Sequence, residues 1–566
     1  MTEKFHYICT SLNEYGSILA NMRTRTTLLI AAMCAACQMQ GEELVLKVKN
    51  QYLNIPVSHQ TDRKRLTFAA KGADTLNVVV RIAEGKPDYW VFKDISRYKG
   101  KTLTLNYEGN GHALEKVVAA DTIFGQANMY KEKNRPQFHF TTRRGWINDP
   151  NGLIFHNGIY HLYYQHNPYE RDWENMTWGH ATSTDLLHWT EHDDVLFPDR
   201  IGTMFSGSAV YDDNNTSGFG TEKNPPLVYA YTADRSDRQT QCIAYSLDGG
   251  YTLHKYKENP VIDSHDKWQS HDTRDPRLFW YAPGKHWVMV LNERDGHSIY
   301  TSANLKDWEF QSHIVGFWEC PDLFELPVDG NRDNKRWVMY GASNTYMIGQ
   351  FDGKTFTPES GKHFFSAGSI YAAQTFNGIP DSDGRRIQLG WGRIGHPGMP
   401  FNGMMLLPTE LQLRTTKDGI RLVSKPIKEV ENLLTNVYSA ADEQKAEDLN
   451  TRCRSFADLD GMHIRCTIHL SHCTSAGISL NGQKILDYDT NGNTVNGRFY
   501  SPQNYTRLSL TADIYVDRTS IEAFIDDGLY SYSMERRLGD NHDGLNFWGN
   551  NITVSDVQID AVKSIW

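Results

Sequence analysis

Apolar positions along this chain recur mostly at the two-residue period of β-strands. Over 42–127, the run Leu44-Val45-Leu46-Lys47-Val48, the segment Asn77-Val78-Val79-Val80-Arg81-Ile82 and the alternation Thr102-Leu103-Thr104-Leu105 predict a small β-domain. Its Tyr89 and Trp90 have two readings, core packing or contact with polysaccharide. Over 136–425 a longer unit recurs five times without sequence identity. It has a polar or acidic opener, a strand, a turn or polar loop, and a second apolar strand. The openers are Asp149-Pro150-Asn151-Gly152, Phe205-Ser206-Gly207-Ser208, Asp275-Pro276-Arg277, Pro321-Asp322-Leu323 and Tyr371-Ala372-Ala373. Second strands fall at 160–164, 227–231, 287–291, 337–340 and 387–391. Five units of about 45 to 70 residues predict a five-bladed β-propeller, whose innermost strands line a central channel so that the openers face one another.

Beyond 425 the pattern changes. Residues 425–440 read as a linker with a helical turn around 427–434. From 440 to 566, short strands are punctuated by Asn491-Gly492-Asn493, Asp526-Asp527-Gly528 and Asp540-Asn541-His542-Asp543-Gly544, with no helical stretch, which predicts a β-sandwich. The expected chain is therefore all-β: a leader at 1–41, an N-terminal β-domain at 42–127, a five-bladed propeller at 136–425 and a C-terminal sandwich at 440–566. The leader has an address. Met22-Arg23-Thr24-Arg25 precedes an apolar run from Leu28 to Ala36, the form of a secretory signal and too short for a stable bilayer span. Met22 is an alternative start. Cys37 follows Ala35-Ala36, so cleavage with lipid attached to Cys37 and plain signal cleavage are both open. Either exports the protein, and membrane contact would come only through that lipid.

A length of 566 residues suits two to four domains with ample core. The net charge of −10 argues against nucleic acid or an anionic membrane as partner, whereas a neutral polysaccharide imposes no charge demand. Sugars lie well on aromatic rings, but the 14 Trp and 29 Tyr also suit a large β-fold, so composition alone decides nothing. Outside the leader, Cys242, Cys320, Cys453, Cys466 and Cys473 form no C-x-x-C pair, which disfavours a zinc framework. The last three leave one disulfide or free buried thiols as readings.

Three acids stand in phase with the repeat, and cleaving a glycosidic bond needs carboxyl groups on both sides of it. Asp149 is the candidate nucleophile, flanked by Asn148 and Asn151, which suit sugar hydroxyls. Taken alone, Asn148-Asp149-Pro150-Asn151-Gly152 is also good turn chemistry. Glu319, between Trp318 and Cys320, is the candidate acid/base, because an apolar setting would keep it protonated. An exposed blade-edge glutamate is its bland reading. Asp275 follows Arg274, and an ion-paired acid would stay charged to stabilise the transition state. A structural salt bridge reads equally well.

Taken together, Trp146-Ile147-Asn148-Asp149-Pro150-Asn151-Gly152, Phe205-Ser206-Gly207-Ser208, Arg274-Asp275-Pro276 and Glu319-Cys320-Pro321 resemble, in order and spacing, the signature set of glycoside hydrolase family 32, the invertases, inulinases and levanases. Tyr164-Gln165-His166-Asn167-Pro168, Trp178-Gly179-His180-Ala181, Asp185-Leu186-Leu187-His188-Trp189, Tyr371-Ala372-Ala373-Gln374-Thr375-Phe376 and Asp517-Arg518-Thr519-Ser520-Ile521-Glu522-Ala523-Phe524 extend the resemblance over 136–566. It implies a propeller followed by a sandwich and a retaining hydrolysis of β-fructofuranosides. Asp149 would attack the anomeric carbon, Glu319 would serve as acid and then base, and Asp275 with Arg274 would hold ring hydroxyls. Asn148, Asn151, Gln165, Trp173, Phe205, Ser206 and Trp391 would line the fructose pocket. No metal or cofactor is implied, and Asp212-Asp213-Asn214-Asn215 reads as a solvated loop rather than a calcium site. The expected partner is a fructose-containing oligo- or polysaccharide, met in the periplasm or at the surface of a Gram-negative bacterium. The N-terminal β-domain looks like an accessory module of fructan-degrading bacteria.

Ser369-Ile370, Arg393-Ile394 and Glu174 depart from the family pattern and bear on leaving-group preference. Terminal attack on levan or inulin, with sucrose as a further substrate, is the expected activity. Its rivals are an endo-acting levanase, an inverting arabinan or xylan hydrolase, and a non-catalytic polysaccharide-binding propeller. Direct covalent attack requires the Asp149 and Glu319 carboxyl groups to lie about 5 to 5.5 Å apart.

Overall fold

The computed structural model describes residues 41–109, 111–470, 473–499, 508–537, 539 and 543–566. The signal segment, Cys9, Cys34 and Cys37 lie outside the described residues. The first two sheets pack face to face. One orders Glu42–Lys47, Thr102–Tyr107, Lys64–Ala70 and Leu76–Val80, and the other Tyr89–Asp94, Tyr52–Val57 and Val118–Ala120. Alternation puts Leu53, Ile55, Leu66, Phe68, Val78, Val80, Leu103 and Leu105 between them, each fully or nearly fully buried. Trp90 packs edge-on against Phe124 at 4.8 Å, the packing reading of that residue. Tyr169, well beyond this segment in sequence, completes the core.

Four sheets follow in sequence and form the five blades of the propeller, the fourth and fifth blades being joined in one ten-stranded sheet where Val328 pairs with Leu413. Their innermost strands are Gly145–His156, Thr203–Tyr211, Thr273–Tyr281, Asp322–Val328 and Ile370–Thr375, each paired antiparallel to the next strand of its blade. Neighbouring blades share apolar cores. Tyr163 and Trp178 of the first meet Tyr229 and Tyr231 of the second, and Val210 and Ile243 of the second meet Leu278 and Met289 of the third. Strands buried on both faces explain continuous apolar runs such as 227–231. The ring closes where Phe401–Asn402 adds in parallel to Gly145–Trp146, and where Asn377 exchanges backbone bonds with Leu153 and Phe155 at 3.0 and 2.8 Å.

Beneath the channel floor the blades are cross-linked. The buried Arg277 Nε lies 2.9 Å from Asp322 Oδ1, and its other nitrogens donate to Thr375 and Asn377. Asp322 Oδ2 accepts from the Thr375 amide and hydroxyl, both at 2.9 Å. Asn377 Nδ2 donates in turn to the carbonyls of Ala209 and Leu278. Blades two to five are thus joined at one polar hub.

The last part is a sandwich whose two sheets enclose Ile464, Ile468, Ile478, Leu486, Ile514, Ile521 and Val554. Two expectations are corrected. The linker gives a 3₁₀ turn at Lys428–Leu433, but Leu434–Ala440 pairs with Thr553–Val562 and belongs to the sandwich. An α-helix at Ala446–Cys453 occurs where none was expected, burying Leu449 and Cys453. Cys242, Cys320, Cys453, Cys466 and Cys473 are free and buried. Sandwich and propeller are latched by His139, whose ring nitrogens meet Asp517 at 2.7 Å and Glu522 at 2.6 Å. Burial disfavours the charged ring, but these two acids outweigh it and push His139 up to about 9.

Candidate active site

Four of the five openers sit where their strand departs from regular pairing, the exception being Pro321-Asp322-Leu323, whose strand pairs evenly there. Register slips between Ile147 and Pro150, Met204 and Gly207, Arg274 and Arg277, and Tyr371 and Gln374. Such bulges re-aim side chains that an even ladder would send to alternating faces. The backbone is left-handed at Asp275 (φ 66°), Glu319 (φ 50°), Cys320 (φ 39°) and Ala372 (φ 50°). For residues with a Cβ this costs of order 1–3 kcal/mol each, a strain that clusters at functional sites.

The bulges at Asp149 and Asp275, with the left-handed bend at Glu319-Cys320 ahead of Asp322–Val328, bring the three acids to one place. Asp149 Oδ2 accepts from Ser206 Oγ at 2.7 Å, and Oδ1 from Asn148 Nδ2 at 3.0 Å. Trp146 Nε1 fixes Asn148 from behind at 2.8 Å. The Cys320 thiol lies 3.5 Å from Oδ2 of both Asp149 and Asp275, and the Cys320 amide donates to Asp275 Oδ2 at 2.9 Å. Burial and the three acids around it push this thiol well up, so at neutral pH it is an S–H donor. Burial pushes the Asp149 carboxyl up, the Ser206 and Asn148 bonds pull it back, and Glu319 adds to the rise.

Two electrostatic expectations are overturned. Arg274 does not pair with Asp275: its Nη2 and Nε reach Glu319 Oε1 at 2.7 and 3.2 Å, and Nη1 reaches Asp272 at 2.7 Å. Burial pushes Asp275 up to about 7; Arg274 opposes this at a distance, and Glu319 and Asp149 reinforce it. Nor is Glu319 in an apolar setting. Besides Arg274, it accepts the Tyr371 hydroxyl on Oε2, and its amide is fixed by Asn292 Oδ1 at 2.8 Å. Trp318 points outward instead, with the Arg274 guanidinium 5.3 Å from its ring centre.

The remaining predicted residues surround this cluster. Asn151 is fully buried, and the amide orientation that satisfies its neighbours takes a bond from Gln165 Nε2 at 3.1 Å. Trp391 meets Trp146 and Tyr371 edge-on at 5.8 and 6.3 Å. Phe205 meets the half-exposed Trp173 at 6.1 Å. Gln165 Oε1 and Trp391 Nε1 are buried, and among the described residues neither has a hydrogen-bond partner. Orphaned polar atoms at a pocket wall are suited to a hydroxylated ligand. Tyr371, Cys320 and Asn292 were assigned no role from sequence, although Tyr371 opens the fifth unit in phase with the other openers.

The sequence departures also find places. Ser369 donates to Ser533 O at 2.9 Å, stitching the start of blade five to the sandwich. The strand Ser366–Gly368 runs parallel to Tyr530–Glu535, and Gly368 (φ 87°) approaches so closely that a Cβ there would lie 1.9 Å from Ser533 O. Arg393 stacks 4.7 Å from the Tyr371 ring centre, so these departures lie behind the residue that holds Glu319. Asp212 is not solvated: it is fully buried, and its carboxylate is engaged by the amides and hydroxyls of Thr216 and Ser217 at 2.7–2.9 Å.

Residues 139–426 match the family model described as glycosyl hydrolases family 32 N-terminal domain. The chain is 38% identical to the levanase of Bacillus subtilis over 493 residues, 78% of this chain and 72% of that protein. It is 33% identical to an extracellular exo-inulinase of Aspergillus niger over 538 residues, 80% of this chain and 99% of that protein. Among solved structures, exo-inulinase from Aspergillus awamori aligns with a TM-score of 0.67 at 28% identity, covering 77% of this chain and 100% of its own. The β-fructofuranosidase of Schwanniomyces occidentalis, complexed with fructosyl-erythritol, aligns with a TM-score of 0.62 at 26% identity, covering 76% and 98%. Fold, acid cluster and likeness agree: this chain is a glycoside hydrolase and belongs to glycosyl hydrolase family 32.

Proposed function

We propose that this enzyme releases terminal β-D-fructofuranosyl units from fructans of the levan or inulin type, and from sucrose, with retention of configuration. The observation that carries the reading is the convergence of Asp149, Asp275 and Glu319 around the Cys320 thiol and amide. In the first step an Asp149 oxygen bonds to the anomeric carbon of fructose as the glycosidic C–O bond breaks, and Glu319 gives its proton to the departing oxygen. Water then attacks the same carbon, the bond to Asp149 breaks, and the water's proton passes to Glu319. Asp275 holds ring hydroxyls, and Gln165 Oε1 and Trp391 Nε1 find partners in the sugar. A funnel closed by the sandwich favours a chain end over internal attack.

Export is part of the proposal. It rests on the pattern from Met22 to Ala36 and on relatives described as extracellular. Lipid on Cys37 and the periplasm or surface of a Gram-negative cell are its finer form. The test is a time course of products from levan, inulin and sucrose, with the anomer first formed followed by proton NMR. The expected early product is fructose alone from levan and inulin, and fructose with an equal amount of glucose from sucrose, the fructose in the substrate's anomeric configuration. Early oligomers would replace the exo reading with an endo-acting levanase, and an inverted anomer would remove the covalent intermediate.

A further inference from the structure

The segment 168–175 is held from two sides. On one, the N-terminal β-module grips it. Glu170, whose side chain is fully buried, accepts Arg63 Nε at 2.8 Å, Arg81 Nη1 at 2.6 Å and the Arg81 amide at 2.7 Å. Asp172 takes the same two guanidinium groups at 3.1 and 3.0 Å. Asn175 mimics a strand neighbour, exchanging two 2.8 Å bonds with the Val79 backbone. Tyr169 is built into the module's core. On the other side, Arg171 O accepts Asn402 Nδ2 at 3.2 Å, and Asn167 Nδ2 donates to Asp172 O at 2.8 Å.

Between these clamps stands Trp173, 49% exposed and edge-on to Phe205, the residue before Ser206, which holds Asp149. With the module in place but Arg63 truncated, Glu170 would be a buried carboxylate short of a cation, which costs several kcal/mol. The segment would then lose the conformation that presents Trp173. The residues on either side of Trp173 in sequence, Asp172 and Glu174, keep 43% and 38% of their side chains exposed, and both pair with Arg63, itself 27% exposed, at 3.1 and 3.5 Å. An apolar ring flanked by charged donors and acceptors suits an uncharged, hydroxyl-rich chain.

We propose that the N-terminal β-module completes the active-site rim: with segment 168–175 it forms a subsite for fructosyl units beyond the bond that is cleaved, and Arg63, Arg81, Glu170 and Asp172 are its positioning residues. This rests on the fructan reading above. The test compares Arg63→Ala and Arg63→Lys with the native full-length enzyme on fructan oligomers of increasing length, starting from the shortest that the native enzyme cleaves. For Arg63→Ala the ratio of KM on long oligomers to KM on the shortest should rise about tenfold with kcat within about twofold, and Arg63→Lys should recover part of it. A KM change equal at all lengths, or none, would overturn the subsite. Should Arg63→Ala not fold, Asp172→Asn serves in its place and should shift the same ratio about threefold. No fructose from any oligomer with the native enzyme would instead sink the fructan reading itself.

Discussion

The Arg274 guanidinium closes on Glu319, two of its nitrogens meeting one carboxylate oxygen at 2.7 and 3.2 Å. The left-handed backbone at Asp275 sends these sequence neighbours in different directions, so Arg274 orients the acid/base candidate. A lysine supplies a point charge but no planar fork. Arg274→Lys should therefore lower kcat/KM on fructan about ten- to hundredfold, the worth of one or two charge-assisted bonds, with Tm little changed. Initial-rate kinetics with a thermal melt would check it.

Asp149→Asn and Glu319→Gln keep volume and remove charge. Each should lower kcat about a thousandfold or more while the protein stays folded. Unchanged fructose release by either variant, measured on levan, would strip that residue of its assigned part.

Asp275 offers a pH test whose sign is fixed. Its folded carboxyl is pushed up to about 7 from an ordinary 3.8, so between these values the native state binds more protons than the unfolded chain. Stability is then lost as pH rises from about 4 to 7. Asp275→Asn carries no charge at any pH and should escape this loss, so its Tm relative to the native enzyme should rise by several degrees across that window. Calorimetry at stepped pH reads this directly, and a flat difference would contradict the assignment.

The His139 latch has a dependence of the same sign in a higher pH window. Its folded value of about 9 lies above the ordinary 6.5, so its contribution is complete below about 6.5 and disappears as pH rises through about 9. His139→Gln leaves Asp517 and Glu522 buried without their cation and should cost about 3 to 5 kcal/mol at pH 6. The gap in Tm between native and variant should narrow steadily toward pH 9.

The fold was legible because its signals are local. Strand alternation, turn residues and acidic openers repeat along one stretch of chain, and each opener does lead its blade's innermost strand. What the sequence hid was set by geometry across the fold. Arg274 stands beside Asp275 in sequence, yet its partner is 45 residues away, reached only because the strand bulges. Arg63 and Arg81 look like solvated charges in an accessory domain, and only tertiary packing puts Glu170 between them. Leu434–Ala440 reads as a linker because much of it is exposed as an edge strand.

The hub of Arg277, Asp322, Thr375 and Asn377 lies below the three acids and touches none of them, yet it binds four blades into one body. Relative placement of the reacting groups is thereby decoupled from the loops above. Insertions, exchanged side chains or an added module at the mouth can change which saccharide is admitted while the chemistry underneath stays in register.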